Sequence, residues 1–360
     1  MPISTFIRFE FIKRTLHFRF DAGTSRGVLR SKDVYWIKAF RGDSHEICGW
    51  GEATPLVKLS LDDRPDFEDV LAKVLTQMET IPWMLEEDSI LEKLKELIPF
   101  ELPSIRFGLE TALLDLKNGG KKKILENPFY DLKEPIPING LIWMGERLFM
   151  LEQINQKIEE GYGCIKMKIG AIDFDQELDL LRYIRTRFSP DQMTLRVDAN
   201  GAFTNDDALS KLAKLADLGI HSIEQPISAG NVEVMRTLCE ATPLPIALDE
   251  ELIGVRSKAE LLDQINPHYI ILKPTLLGGI LETKAWIKLA EERGIGWWMT
   301  SALESNIGLN AIAQLAATFK PTIPQGLGTG KLYLNNLDSP LEIKSGLIRY
   351  SPEKSWEEPS

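Results

Sequence analysis

Cys164-Ile-Lys166-Met-Lys168-Ile-Gly170 (CIKMKIG) is the segment from which the fold of this chain is read. Alternate residues of a strand face opposite sides, so Lys166 and Lys168 share one face and Ile165, Met167 and Ile169 the other. In a closed barrel the apolar set suits the side under the helices, and both ammonium groups then point inward near the C-terminal mouth. Taken alone, the pair better fits a strand end from which two lysines simply reach water. The neighbouring segments decide. Strand-like runs at Thr194–Ala199, His221–Glu224, Ile246–Asp249 and Tyr269–Lys273 carry Asp198, Glu224, Asp249 and Lys273 at their ends. Those polar ends follow Lys168 at intervals of 30, 26, 25 and 24 residues.

Amphipathic helical patterns fill the gaps, at Gly145–Glu160, Phe174–Phe188, Asn205–Leu218, Asn231–Ala241, Ser257–Ile265, Leu281–Arg293 and Ile307–Phe319. With Ile138–Ile142 before them, Gly296–Thr300 after them and a weaker run near Thr322–Gly326, the strands number eight. The predicted class is α/β, a (β/α)₈ TIM-like barrel over residues 131–330, within the usual length of about 200–250 residues. An open doubly wound sheet would more often carry a Gly-rich phosphate turn after its first strand, and none is present.

Residues 1–130 have a different texture. Two β-prone runs, Thr5–Phe11 and Thr15–Phe20, precede a strand at Asp33–Phe40, and Gly49–Pro55 (GWGEATP) reads as a turn or loop. Helical patterns follow from Pro65 to Met78, over Glu86–Ile98 and over Ser104–Lys117, the last with Ser104 as its cap. This is an N-terminal α+β domain, joined through the Lys- and Pro-rich stretch Lys121–Ile138 and completed by residues 331–360.

The 360 residues carry 42 Lys plus Arg against 53 Asp plus Glu, a net charge of −11, which argues against a nucleic-acid or anionic-membrane surface. Cys48, Cys164 and Cys239 share no metal-ligand spacing and are too few for a disulfide framework. Arg8, Glu10, Lys13 and Arg14 interrupt any secretory leader, and no run approaches about 18 apolar residues, so a cytoplasmic protein is expected. His17, His45, His221 and His268 show no zinc-binding spacing. Gly326–Lys331 only superficially resembles a phosphate loop, because Gln325 and Leu332 stand where such a loop needs Gly and Ser or Thr. Trp297 and Trp298 are candidates for a pocket wall or for the core.

Three acids on consecutive strand ends need a counter-ion, since two like charges about 4 Å apart repel by about 4 kcal/mol at an effective dielectric near 20. One oxygen donor per strand suits Mg²⁺, or Mn²⁺. A structural salt-bridge network of lysines and acids is the alternative.

The order Lys166-Met-Lys168, Asp198-Ala-Asn200, Glu224-Gln-Pro226, Asp249-Glu250, Lys273-Pro274 resembles the enolase superfamily, in particular its muconate-lactonizing branch. GWGEATPL at Gly49–Leu56 and ETALLDL at Glu110–Leu116 are similar to that family's capping domain, whose loops close over the barrel mouth. The resemblance implies a modified enolase barrel and a carboxylate substrate. It also implies Asp198, Glu224 and Asp249 as ligands of Mg²⁺ or Mn²⁺, with Lys168, Lys273 and Lys166 as catalytic groups. The chemistry the resemblance implies is removal of a proton beside a carboxylate through a metal-stabilised enediolate, for which this superfamily pairs a Lys or His base with one or two Mg²⁺ ions. Lys168 would be the base, and the positive charges of Lys166 and the metal favour its free amine.

Within the branch, Ser301-Ala-Leu-Glu304-Ser305-Asn-Ile-Gly308-Leu309 is similar to the seventh-strand motif of the o-succinylbenzoate synthases, dehydratases of menaquinone synthesis. That implies a lyase, with dipeptide epimerases and N-acylamino acid racemases as the isomerase alternative. The epimerases' eighth-strand D-x-D pair is absent from Gly326–Lys331. Candidate substrate contacts are Asn200, Ser301, Glu304, Ser305 and Arg30, the last on a cationic loop Asp21–Arg30 that includes Gly23, Arg26 and Gly27. Barrels of this branch assemble in several ways, so no oligomeric state is implied.

Overall fold

In the computed structural model, which describes residues 5–24, 27–42 and 46–360, the chain opens with a four-stranded antiparallel sheet. Its strands are β1 (Thr5–Thr24), β2 (Gly27–Arg41), β3 (Cys48–Ala53) and β4 (Pro82–Trp83), in the order β3-β2-β1-β4. The expectation of two separate runs before Phe20 is corrected, because β1 is one strand of 20 residues. A shift of register against β2 between His17 and Ala22 absorbs the irregularity without ending the pairing. Asp21–Arg30 is consequently the end of a hairpin, with Ala22 opposite Leu29 and Gly23 opposite Val28. Arg26 and His45 lie outside the described residues.

Three helices cover this sheet: α1 (Phe67–Glu79), α2 (Glu87–Leu97) and α3 (Pro103–Lys117). Ser104 does not cap α3 as expected. The helix begins at Pro103, and Asp62 reaches across to accept from the Ser104 backbone N–H at 2.8 Å and from its hydroxyl at 2.6 Å. A side chain distant in sequence has replaced the local cap. Gly49–Pro55 is corrected as well, since most of it belongs to β3. Its glycines serve close approach rather than a turn. A Cβ on Gly51 would stand 2.0 Å from the Gly108 carbonyl oxygen of α3, and one on Gly49 2.1 Å from that of Ala112. Because both obstacles are backbone, Gly51→Ala is expected to destabilise the protein by about 3 kcal/mol or more. Urea unfolding followed by tryptophan fluorescence checks this, and an unchanged midpoint would show that strand and helix can separate freely.

The short helix α4 (Pro128–Asp131) and strand β5 (Ile136–Pro137) lead into a parallel sheet of β6 (Gly140–Ile142), β7 (Cys164–Lys168), β8 (Thr194–Asp198), β9 (Ser222–Glu224), β10 (Ile246–Leu248), β11 (Tyr269–Leu272) and β12 (Gly296–Met299). These strands neighbour one another in sequence order. The connecting helices are α5 (Arg147–Glu159), α6 (Phe174–Arg185), α7 (Ala208–Ala216), α8 (Val232–Ala241), α9 (Lys258–Ile265), α10 (Pro274–Leu277) and α11 (Ile280–Glu291), with α12 (Asn306–Thr318) after β12. The expected eighth strand is reduced to two parallel bridges, Ile138 with Gln325 and Thr300 with Gly326, which join the edges of the curled sheet. Gly326 permits this closure, since a Cβ there would meet Thr300 Oγ1 at 2.4 Å.

The chain ends in the hairpin β13 (Leu341–Lys344) and β14 (Leu347–Tyr350), which pairs with β5. Just before it, Tyr333 bridges Phe18, and the Leu334 N–H donates to the His17 carbonyl at 2.8 Å. Ile165, Met167 and Ile169 are fully buried in the main apolar cluster. Trp297 and Trp298 do not face the cavity described below. Trp298 lies inside the sheet with the Arg196 guanidinium 3.9 Å from its ring centre, and Trp297 donates to Glu291. The three cysteines are free.

Candidate active site

Adjacent parallel strands set the site by register. Lys168 on β7 lies beside Asp198 on β8, which lies beside Glu224 on β9, while Asp249 follows β10 and Lys273 follows β11. Side chains on the inner face at the C-terminal tips therefore gather in one layer. The Lys166 ammonium bridges Asp198 Oδ2 at 3.0 Å and Glu224 Oε2. Lys168 donates to Asp198 Oδ2 at 2.9 Å and to Asn200 Oδ1 at 2.6 Å. Lys273 pairs with Asp249 and lies 4.0 Å from Glu224 Oε1. Lys168 and Lys273 are separated by the three acid-bearing strands, so they face each other across the mouth. Lys166, Lys168, Asp198, Asn200 and Lys273 line a cavity of about 1120 Å³.

The backbone is bent to achieve this. Asn200 has φ +42° and Gln225 φ +41°, left-handed conformations that cluster at functional sites. The Gln225 side chain, fully buried, accepts from the backbone N–H of Asp249 at 3.2 Å and of Glu251 at 3.3 Å. It ties the tips of β9 and β10 together. Sequence reading quoted Gln225 as part of a motif without giving it a role, because only the tertiary fold shows what its amide reaches.

Electrostatics follow from burial. Desolvation opposes the charge of Asp198, but Lys166, Lys168 and Lys273 outweigh it and hold this carboxyl well below the usual range. Burial likewise opposes the charge of Lys166, and Asp198 and Glu224 outweigh it, so that ammonium is held more firmly than usual. Asp249 goes the other way. Burial pushes it well above the carboxylate range, Lys273 offsets only part of this, and Glu250 and Glu224 add to it.

Among the described residues no three acids converge on one point, since ammonium groups stand between them. The donor set still fits a divalent cation. It is made only of buried oxygens from three neighbouring strands, and Glu224 Oε1 has no hydrogen-bond partner. Asp198, Glu224 and Asp249 are the residues that would hold it.

The other expected contacts divide. Asn200 and Ser301 line the cavity. Glu304 and Ser305 lie behind its wall, both fully buried. Glu304 accepts from the hydroxyls of Thr275 and Ser301. Ser305 caps α12 and binds Glu52 of β3. Arg30 lies apart from them. It is exposed on the hairpin, absent from the cavity lining, and committed to both oxygens of Asp21 at 3.0 Å. Arg30→Ala is therefore expected to leave kcat/KM within about twofold, as for an exposed ion pair. A tenfold loss in steady-state kinetics would return Arg30 to the site.

A family model described as enolase C-terminal domain-like matches residues 150–354. An o-succinylbenzoate synthase from Desulfotalea psychrophila is 48% identical, covering 93% of this chain and 97% of the relative. The chain belongs to the enolase C-terminal domain-like family. The crystal structure of MenC from the same organism superposes on this enolase-family chain with a TM-score of 0.85 at 41% identity, covering 96% of this chain and all of that one. More distant enolase-family relatives include an N-succinylamino acid racemase from Amycolatopsis, 28% identical over 83% of this chain and 80% of its own. The L-Ala-D/L-Glu epimerase of Bacillus subtilis shares the fold at 21% identity, with a TM-score of 0.84 and 96% coverage of both chains.

Proposed function

We propose that this chain is a lyase that dehydrates 2-succinyl-6-hydroxy-2,4-cyclohexadiene-1-carboxylate to 2-succinylbenzoate, the o-succinylbenzoate synthase step of menaquinone biosynthesis. The observation that carries the chemistry is the opposition of Lys168 and Lys273 across a layer of three buried acids. The choice of reaction is supported by the 48% identical synthase, since the racemase and epimerase relatives cited above stand at 28% and 21%. The cavity lining agrees with it. Eight of its residues are Lys or Arg and three are Asp or Glu, in a chain of net charge −11, which suits a substrate with two carboxylates better than a dipeptide with an ammonium group.

Enzymes of this family use a divalent metal, and Mg²⁺ is the ion proposed at Asp198, Glu224 and Asp249. When bound, it supplies positive charge to the substrate carboxylate as electron density accumulates there. The chain's own groups do the proton work. Lys168 Nζ, aimed by the Asn200 side-chain oxygen Oδ1 at 2.6 Å, takes the proton from the carbon bearing the carboxylate. The resulting electron pair expels the hydroxyl group from the adjacent carbon, and Lys168 returns its proton to that oxygen on the same side. Water leaves and the ring becomes aromatic, so atoms and charge balance. Lys273, whose proton is held by Asp249 and Glu224 against the effect of burial, remains an ammonium on the opposite face. There it stabilises the anionic ring, with a cation–π contribution. Lys166, fixed between Asp198 and Glu224, orients the carboxylate.

The same reading divides the chain at residues 130/131, with 331–360 joining the N-terminal unit, and places the enzyme in the cytoplasm. No helix among the described residues is long and apolar enough to cross a membrane. The direct test supplies purified protein and Mg²⁺ with the cyclohexadiene substrate and follows loss of diene absorbance. Ala-Glu dipeptides are incubated in parallel in deuterated water. Rapid diene loss with no α-exchange is expected, and exchange without dehydration would replace the lyase by an epimerase.

A further inference from the structure

One wall of the cavity is held from outside the barrel. After β12 the chain runs Ser301-Ala302-Leu303-Glu304-Ser305, and Ser301, Ala302 and Leu303 line the cavity. Leu303 has φ +67°. For a branched, non-glycine residue this left-handed conformation is unfavourable, and it persists only where its surroundings over-determine it. The surroundings here can be named. The Ala302 carbonyl, immediately before the strained residue, accepts from the Lys32 ammonium at 2.6 Å. The Leu303 carbonyl accepts from the Tyr333 hydroxyl at 2.6 Å. The Leu303 N–H donates to Ser301 Oγ at 3.0 Å.

Two of these three anchors are foreign to the barrel strands. Lys32 comes from β2 of the N-terminal sheet and is 4% exposed; Tyr333 comes from the segment bridged to β1 and is 1% exposed. Burial lowers the pKa of the Lys32 ammonium to about 8, and Glu304 and Glu52, both fully buried nearby, offset only part of that cost. Glu52 also accepts from the backbone N–H groups of Ser305 and Gly308 at 2.9 Å, so β3 holds the start of α12 as β2 holds the turn before it. A buried lysine spent on one backbone carbonyl is an expensive device for stability alone.

We infer that Lys32 is a positioning residue for the substrate: with Tyr333 it clamps the Ala302–Leu303 peptides in a left-handed turn, which forms the fixed wall against which the substrate seats. This rests on the proposed site at the mouth of the barrel. The clamp touches neither the three lysines nor the three acids. Its loss therefore loosens binding and leaves the proton transfers of bound substrate intact, so KM changes and kcat does not. Glycine adopts the left-handed region without strain, so in a Leu303→Gly variant the turn no longer needs the clamp.

The test is a double-mutant cycle in the full-length enzyme with Mg²⁺. Lys32→Met, Leu303→Gly and the double variant are compared by steady-state kinetics and by the dissociation constant of 2-succinylbenzoate. Lys32→Met is expected to raise KM and the product dissociation constant at least tenfold, with kcat within threefold. Introduced into Leu303→Gly, the same change is expected to cost less than threefold. Tyr333→Phe, which removes only a hydroxyl, provides the measurement if Lys32→Met fails to fold. It is expected to raise KM threefold or more in the wild-type background and to have no effect in the Leu303→Gly background. Equal losses in both backgrounds, or a loss confined to kcat, would overturn the inference. A wild-type enzyme inactive on the diene overturns the proposed reaction instead, so the two failures are distinguishable.

Discussion

Lys168→Ala is expected to lower the rate of diene loss by at least about 10⁴-fold while leaving the folded structure in place, since it removes the general acid–base group itself. The residue is 8% exposed and makes its two hydrogen bonds to Asp198 and Asn200 at the cavity surface, away from the apolar packing of Ile165 and Met167. Loss of the amine therefore removes the only group proposed both to take the proton and to deliver it to the departing hydroxyl. Lys168→Gln separates chemistry from packing, because an amide can still donate to Asp198 but cannot act as a base. Both variants are expected to be equally inactive and to bind 2-succinylbenzoate within about tenfold of wild type, as expected when an interaction made mainly in the transition state is lost. Circular dichroism reports on the fold and single-turnover absorbance on the chemistry. Substantial turnover by either variant would remove Lys168 from the mechanism.

Asp198→Asn is expected to weaken Mg²⁺ binding at least about 100-fold, beyond what loss of an outer-shell partner typically costs, and to reduce turnover in parallel. Asp198 is the carboxylate shared by Lys166 and Lys168, so the substitution also leaves two buried ammonium groups short of a partner. Glu224→Gln and Asp249→Asn act in the same direction. In wild type, excess chelator is expected to abolish activity and added Mg²⁺ to restore it. Calorimetric titration of the metal gives the affinity independently of turnover. Activity that persisted in chelator, or unchanged Mg²⁺ affinity in all three variants, would leave the acids as a salt-bridge network for the lysines.

Much of this arrangement was legible before any coordinates. The alternation in CIKMKIG placed Lys166 and Lys168 inward, and the regular spacing to Asp198, Glu224, Asp249 and Lys273 placed one polar end on each successive strand. Strand periodicity and parallel register are local rules, and the sheet obeys them from β6 to β12. Errors arose where a short pattern admits two physical causes. Gly49 and Gly51 look like turn residues, but only the closeness of α3 shows why they lack side chains. Ser104 has the chemistry of a cap, yet Asp62 supplies the acceptor from 42 residues away. The pairing of Arg30 with Asp21 across the hairpin was likewise not legible, since it depends on the register of two strands.

The sequence by itself determined the class of chemistry, because that depends on which ionisable groups the strand ends carry and in what order. The tertiary structure alone decided what each group is paired with. It showed Gln225 tying β9 to β10, Glu304 and Ser305 withdrawn behind the wall, and Lys32 and Tyr333 reaching from distant segments to the Leu303 turn. Strand alternation is set by bonds between neighbouring residues, whereas a buried hydrogen bond is set by whichever donor the folded chain brings within about 3 Å of an otherwise unsatisfied acceptor.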